Sequence, residues 1–310
     1  MLNALITGVN GFCARHLTHR LIEEGGIRVI GLDVQTKSPI ETSLDDYLQV
    51  DILNLDRLST VIRKTQPDFV FHLAGLVNGT SANVYQTNFM GAVYLLESIH
   101  RHKSDANVLL VGSAAEYGFV DKSDLPVTED RQCRPVGSYG ISKYAATLAA
   151  HDYFQSLKMK IVVGRPFNII GAGVPQGLVV GDLLSRAKEV LQTQANPIVR
   201  VGNLDSKRDF VAVDDVAEAY LQMIRGDFWG EVFNICSGNA YSIRKIVEML
   251  LSNSERQISL EVDPNLVRSS EVNIVYGSNE KAQRLFGFDP NTDLDNALKS
   301  AWEYEIKRID

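Results

Sequence analysis

Thr7-Gly8-Val9-Asn10-Gly11-Phe12-Cys13-Ala14 decides the fold of this chain. These eight residues end a short apolar run, 4–7 (ALIT), and open a stretch with helical periodicity over about 14–24. A strand that turns on glycine into a helix leaves unpaired backbone N–H groups and the positive end of a helix dipole at the strand's carboxyl end. Gly8 permits the tight turn, Gly11 lets the backbone approach a pyrophosphate, and Ala14 is small enough for close packing of helix on strand. Asp33 ends the next strand-like run, 28–33 (RVIGLD), at the distance where an acceptor for an adenosine ribose belongs. A carboxylate there repels a 2′-phosphate, so the segment predicts a dinucleotide site for NAD rather than NADP, with Lys37 the cation close by.

Working outward, residues 47–50, 68–74 (DFVFHLA), 108–113 (VLLVGS) and 161–165 (IVVGR) read as further strands. Helices over 55–65, 84–102 and 139–157 separate them. Near-continuous apolar strands alternating with amphipathic helices predict an α/β fold, a Rossmann-type doubly wound parallel sheet covered on both faces. Beyond 165 the pattern loosens. Residues 167–181 are glycine-rich, 203–209 are polar, 214–224 read as a helix, and 232–235 return as a core strand. From Ser242 a helix, a strand at 258–262, an irregular stretch and a terminal helix at 294–307 follow. The expected division is a dinucleotide-binding domain over 1–165 with returns near 210–236. A smaller C-terminal α/β substrate-binding lobe, interwoven in sequence, takes 166–209 and 237–310.

Composition excludes other classes. Of 310 residues 45% are hydrophobic and 22% charged, which is ordinary for a globular protein and rules out disorder and fibrous architecture. No apolar run approaches the roughly 18–20 residues of a membrane span, and no secretory leader is visible, so a cytoplasmic chain is expected. A net charge of −7 argues against binding nucleic acid. Cys13, Cys133 and Cys236 lack metal or redox spacing, and the histidine pairs have no cysteine nearby and no HExxH, so no metal is expected. His72, inside an apolar strand, reads as a packed core residue.

Tyr139 and Lys143 stand i, i+4 on one helix face. A cation about 5 Å from a phenolate at an effective dielectric near 20 is worth roughly 3 kcal/mol, about two pKa units. Lys143 is therefore expected to pull Tyr139 down into the range of general acid–base work. Ser113 ends the fifth strand, where open α/β sheets hold ligands, and its hydroxyl can hold a substrate oxygen. Asp51-Ile52, after the third strand, can flank an adenine edge and face, or Asp51 simply starts the next helix.

These residues resemble the extended short-chain dehydrogenase/reductase superfamily, in its NAD-dependent epimerase/dehydratase group acting on nucleotide sugars. The likeness runs through T-G-x-x-G-F at 7–12, H-L-A-G at 72–75, Asn88-x-x-Gly91, Ser113, Tyr139-x-x-x-Lys143 and R-P-F-N at 165–168. It implies that Tyr139 transfers a proton and Lys143 also holds the nicotinamide ribose. It further implies that Phe12, Cys13, Leu73, Ala74, Gly75, Asn88 and Pro166 border the cofactor, and that the chain dimerises through the Tyr-bearing helix.

Dehydratases of the group follow the catalytic Ser or Thr with an acid and a base. Here Ala114 and Ala115 hold those places, and Glu116 sits one place late unless a bulge rescues it. Dehydration is disfavoured, leaving hydride chemistry at a sugar carbon. G-N-L-D-S-K-R-D-F at 202–210 and R-S-S-E-V at 268–272 are similar to segments of GDP-mannose dehydratases and their reductase relatives. The resemblance implies reduction of the C4 ketone of a GDP-4-keto-6-deoxy-hexose, with an NAD-dependent C4 epimerase as the alternative. Arg208 would meet the diphosphate, Arg268 and Glu271 the nucleotide ribose, and Asn168 the sugar–diphosphate region, with Glu116 and Val179 completing the substrate site. Arg208 could instead pair with Asp209, Glu271 could be solvated, and Asn168 could be a turn residue.

Overall fold

The computed structural model describes residues 1–40, 43–194, 196–266, 274–290 and 293–306. Chain order begins β1 (Leu2–Thr7), α1 (Phe12–Glu24), β2 (Ile27–Asp33), β3 (Asp46–Gln49), α2 (Leu55–Thr65) and β4 (Phe69–His72). It continues with α3 (Ser81–Tyr85), α4 (Gly91–His102), β5 (Asn107–Val111), α5 (Gly137–Leu157), β6 (Lys160–Pro166) and β7 (Asn168–Ile170). Then come α6 (Val179–Thr193), β8 (Ile198–Val201), β9 (Lys207–Arg208), β10 (Phe210–Ala212), α7 (Val213–Arg225) and β11 (Val232–Ile235). The chain closes with β12 (Tyr241–Ser242), α8 (Ile243–Leu251), β13 (Ser259–Val262), β14 (Ile274–Val275), α9 (Glu280–Phe286) and α10 (Leu294–Ile306).

Among the described residues, seven strands form one sheet in the order β3-β2-β1-β4-β5-β6-β11, every neighbouring pair parallel. The strands must be apolar on both faces, and they are. Ala4, Leu5 and Ile6 of β1 and Val108 and Leu109 of β5 are fully buried. One face packs on α1 and α7 through Leu17, Leu21, Val216 and Ile224. The other packs on α2, α4 and α5 through Leu58, Ile62, Leu95, Ile99 and Ala150. Each buried Leu, Ile or Val among them contributes about 1.5–3 kcal/mol by leaving water. Strand order reverses between β1 and β4, so their carboxyl ends part and open a crevice there.

A second core lies beyond those ends, where Leu183 and Ala187 of α6, Ile246 and Leu250 of α8, and Leu298 and Trp302 of α10 enclose β8. Its small sheets pair β8 with β13 and β9 with β12 and β14, and β7–β10 forms a two-stranded ladder between the two cores.

Two stretches differ from the sequence reading. The helix expected over 84–102 is interrupted by a π-helical turn, Gln86–Met90, that carries Asn88 inward. Such bulges re-aim a side chain, and Gly91 follows because a Cβ there would stand 2.5 Å from Ile52 Cδ1. Helix α6 starts at the end of the glycine-rich stretch and runs on through residues to which the sequence reading assigned no element. Leu183, Leu184, Ala187 and Val190 give it an apolar face, but Gly181 in its first turn hides the pattern. Among the described residues no helix is long and apolar enough to cross a membrane, and no three His, Cys, Asp or Glu side chains gather as a metal site.

Candidate active site

The glycine turn sits where the crevice opens. Gly8 has φ +69°, and its N–H donates to Leu32 O at 2.8 Å. A Cβ at Gly8 would lie 2.7 Å from Ala74 Cα, and one at Gly11 would lie 3.0 Å from Gly8 O, so only glycine leaves the surface open. Gly11 caps α1 with no side-chain hydrogen bond, and the first turn of α1 has no acidic residue. Its N–H groups remain for an anion. Asp33, 9% exposed, accepts from Asn10 N at 3.1 Å and Gln35 N at 3.2 Å. It thereby fastens the glycine turn to the end of β2 and keeps lone pairs for a ribose. These features fit a dinucleotide.

A continuous cleft of about 1080 Å³ runs from this turn past Ser113, Tyr139 and Lys143 to Asn168, Val179 and Arg208. That volume exceeds the few hundred to about 1,000 Å³ of a single small-ligand site, as two ligands end to end require. Gly8, Gly11, Phe12, Cys13, Leu73, Gly75 and Pro166 line its cofactor-side part. Asp33, Asp51, Ile52, Ala74, Asn88 and Glu116 are not in that lining.

The electrostatics correct one expectation. Burial comes first and pushes the Tyr139 phenol up, while the bonded Ser113 hydroxyl pulls it down; Glu116 and Cys13 add small upward pushes. Lys143 turns to the backbone. Its ammonium donates to Val111 O at 2.8 Å, and burial pushes its own pKa down to about 8. Tyr139 therefore keeps its proton. His72 is neutral, pushed down to about 3 by burial, and its Nδ1 meets Thr7 Oγ1 at 2.8 Å.

Three further candidates take different roles from those expected. Glu116 is fully buried, with Oε1 accepting from Ser113 N at 2.9 Å and Oε2 from Thr147 Oγ1 at 3.0 Å and Arg165 Nε at 2.8 Å. Its oxygens are spent inside the protein, so it does not face a substrate. Asn88 spends its amide on Leu76 N and O and on Ser142 Oγ, holding the loop after β4 from behind instead of touching a cofactor. Asp51 is exposed and caps its own turn through Leu53 N at 2.9 Å, while Ile52 is buried against Gly91. The next helix starts instead at Asn54, whose side chain accepts from Arg57 N at 3.0 Å, so Asp51 is a turn residue ahead of it.

On the substrate side, Asn168 lines the cleft and donates its amide to Asp209 O at 2.7 Å. Arg208 lines it too, with Nη1 on Lys207 O at 2.8 Å. The Asp209 carboxylate accepts instead from Ser237 N and Oγ, Gly238 N and Gly277 N; burial pushes it up to about 6 despite these donors. Val179 is the first residue of α6, whose N-terminus has no side-chain cap. Arg268 and Glu271 lie outside the described residues. Sequence reading missed Arg186, which lines the cleft from α6 with its Nη1 donating to Arg200 O at 2.9 Å. An arginine seven residues into an apolar-faced helix was the available signal, lost with the helix itself.

Residues 4–236 match the NAD dependent epimerase/dehydratase family. The chain belongs to that family. Over 313 residues it is 30% identical to a GDP-6-deoxy-D-mannose reductase of Pseudomonas aeruginosa, covering 97% of each chain. It is 29% identical to a GDP-6-deoxy-D-talose 4-dehydrogenase of Aggregatibacter actinomycetemcomitans, covering 93% of this chain and 92% of that one. The structure of RMD from Pseudomonas aeruginosa complexed with NADPH superposes with a TM-score of 0.86 at 27% identity, covering 100% of both chains. UDP-glucose 4-epimerase of Thermotoga maritima with UDP-glucose gives 0.86 at 25% identity, again over 100% of both. As a member of the epimerase/dehydratase family, the chain is an NAD(P)-dependent oxidoreductase.

Proposed function

We propose that this protein reduces the C4 ketone of a GDP-4-keto-6-deoxy-hexose with NADH, giving GDP-D-rhamnose or GDP-6-deoxy-D-talose. One observation carries the reading. The turn after Ser113 offers a bound sugar a hydroxyl and two alanines, while its single carboxylate, Glu116, is locked behind it by Arg165 and Thr147. Water loss needs an acid and a base beside the sugar; carbonyl reduction needs one proton donor, and Tyr139 is held in its protonated form. The GDP moiety is supported by the two relatives that carry it in their names, and the C4 position by the talose 4-dehydrogenase alone.

Gly8, Gly11 and the start of α1 would hold the pyrophosphate, Asp33 the adenosine ribose and Lys143 the nicotinamide ribose. A reduced nicotinamide held by these residues would be the source of the hydride that the C4 carbon needs. Ser113 orients the C4 oxygen, and Tyr139 gives it the proton as negative charge develops. Arg186 and Arg208 would meet the diphosphate and Asn168 the sugar–diphosphate region; on the sequence reading Arg268 and Glu271 would meet the nucleotide ribose. In this account residues 1–165 and 210–236 serve the cofactor, and 166–209 and 237–310 the nucleotide sugar. Ile141 and Leu148, one above the other on α5 and 40% and 52% exposed, support dimerisation through that helix. The three unpaired thiols suit a reducing, cytoplasmic setting.

Asp33 also suits an enzyme that retains NAD, which keeps C4 epimerisation as the second reading. Reduced nicotinamide labelled with deuterium at C4 separates the two. Reduction puts deuterium on C4 of the hexose, read by NMR of the product. Unlabelled product, or NAD that survives purification and is never consumed, overturns the reductase.

A further inference from the structure

Glu116, Arg165 and Thr147 meet at one buried point, and each comes from an element that carries part of the site. Glu116 closes the turn that begins at Ser113, Thr147 stands on α5 below Tyr139 and Lys143, and Arg165 is on β6, just before Pro166 and Asn168. Tyr139, Lys143 and Thr147 are spaced i, i+4, i+8, so they share a helix face. The Arg165 and Glu116 side chains are 5% and 0% exposed. A buried ion pair is a poor way to gain stability, since apolar residues of the same volume serve as well or better. Thr147 and Arg165 also border a pocket of about 190 Å³ beside α5.

We infer that Glu116 is a positioning residue whose two carboxylate oxygens set the distance between the Ser113 turn and the helix bearing Tyr139. This rests on the proposed reduction for its kinetic readout only. Oε1 holds the Ser113 N–H, Oε2 holds α5 through the Thr147 hydroxyl, and Arg165 Nε donates to that same oxygen from β6. Neither oxygen touches substrate.

Thr147→Val removes the link to α5 at constant shape, and Thr147→Ser restores the hydroxyl. The expected result is a kcat lower by about 10- to 100-fold in Thr147→Val, with KM and cofactor affinity unchanged and kcat recovered in Thr147→Ser. Hydrogen exchange of the peptide containing Ser113, measured without substrate, rises in Thr147→Val and returns in Thr147→Ser. Glu116→Leu/Arg165→Leu, which leaves no buried charge unpaired, reproduces the kcat loss in a folded protein. Unchanged kcat and unchanged exchange in Thr147→Val overturn the inference, as does full activity in the double variant. Wild-type protein without turnover sinks the reductase reading alone, and the exchange comparison then decides the inference by itself.

Discussion

Tyr139 acts as an acid in this account because its surroundings keep the proton on. Burial raises it, Ser113 moderates the rise, and Lys143 looks elsewhere, to Val111 O. Tyr139→Phe should lower kcat by about 10²- to 10⁴-fold, the usual share of a general acid, while cofactor binding, followed by quenching of protein fluorescence, stays as in the wild type. Retained turnover would remove Tyr139 from the chemistry. In the proposed function Asp33 sets cofactor choice by charge. A unit charge about 4 Å away is worth about 1 kcal/mol in water and about 4 kcal/mol near a protein surface. Asp33→Asn should therefore shift the NADPH-to-NADH ratio of kcat/KM by about tenfold or more toward NADPH, and a ratio that does not move would free Asp33 of that role.

Elements position these residues through bonds that differ in how well they can be read from sequence. The glycine turn, Asp33, Ser113 and the Tyr139–Lys143 pair are local: each is a strand end or an i, i+4 spacing. The parallel strands were legible for the same reason, since burial on both faces writes an unbroken apolar run. Glu116 was not legible, because its partner Arg165 is 49 residues away on β6 and becomes a neighbour only when β5 and β6 pair. Helix α6 was hidden by Gly181, whose missing Cβ makes room for Pro175 O. His72 joins β4 to β1 through Thr7 and gives the sheet a pH dependence. The folded chain keeps it neutral down to about pH 3, whereas the unfolded chain takes up a proton near the ordinary 6.5. Stability from this group is complete above pH 6.5 and is lost as pH falls toward 3. In thermal melts over that window His72→Gln should lose stability less steeply than wild type; parallel curves would contradict the assignment.

At the scale of the molecule the sheet with its helices and the α6–α8–α10 cluster both border one cleft, so a ligand spanning the cleft ties them together. NADH at about 100 times its Kd should add about 2.7 kcal/mol to stability. It should raise the Tm more than NADPH at equal concentration, and the reverse order would count against Asp33. Sedimentation should give twice the 34.4 kDa chain mass, and Leu148→Glu should halve it. The central claim is that hydride and proton are delivered to a C4 ketone. It is tested most directly by following reduced-nicotinamide absorbance with GDP-4-keto-6-deoxy-mannose, using NADH and NADPH in turn. The account predicts loss of one reduced nicotinamide per sugar, faster with NADH. No loss with either, with NAD already held by the purified protein, would contradict it.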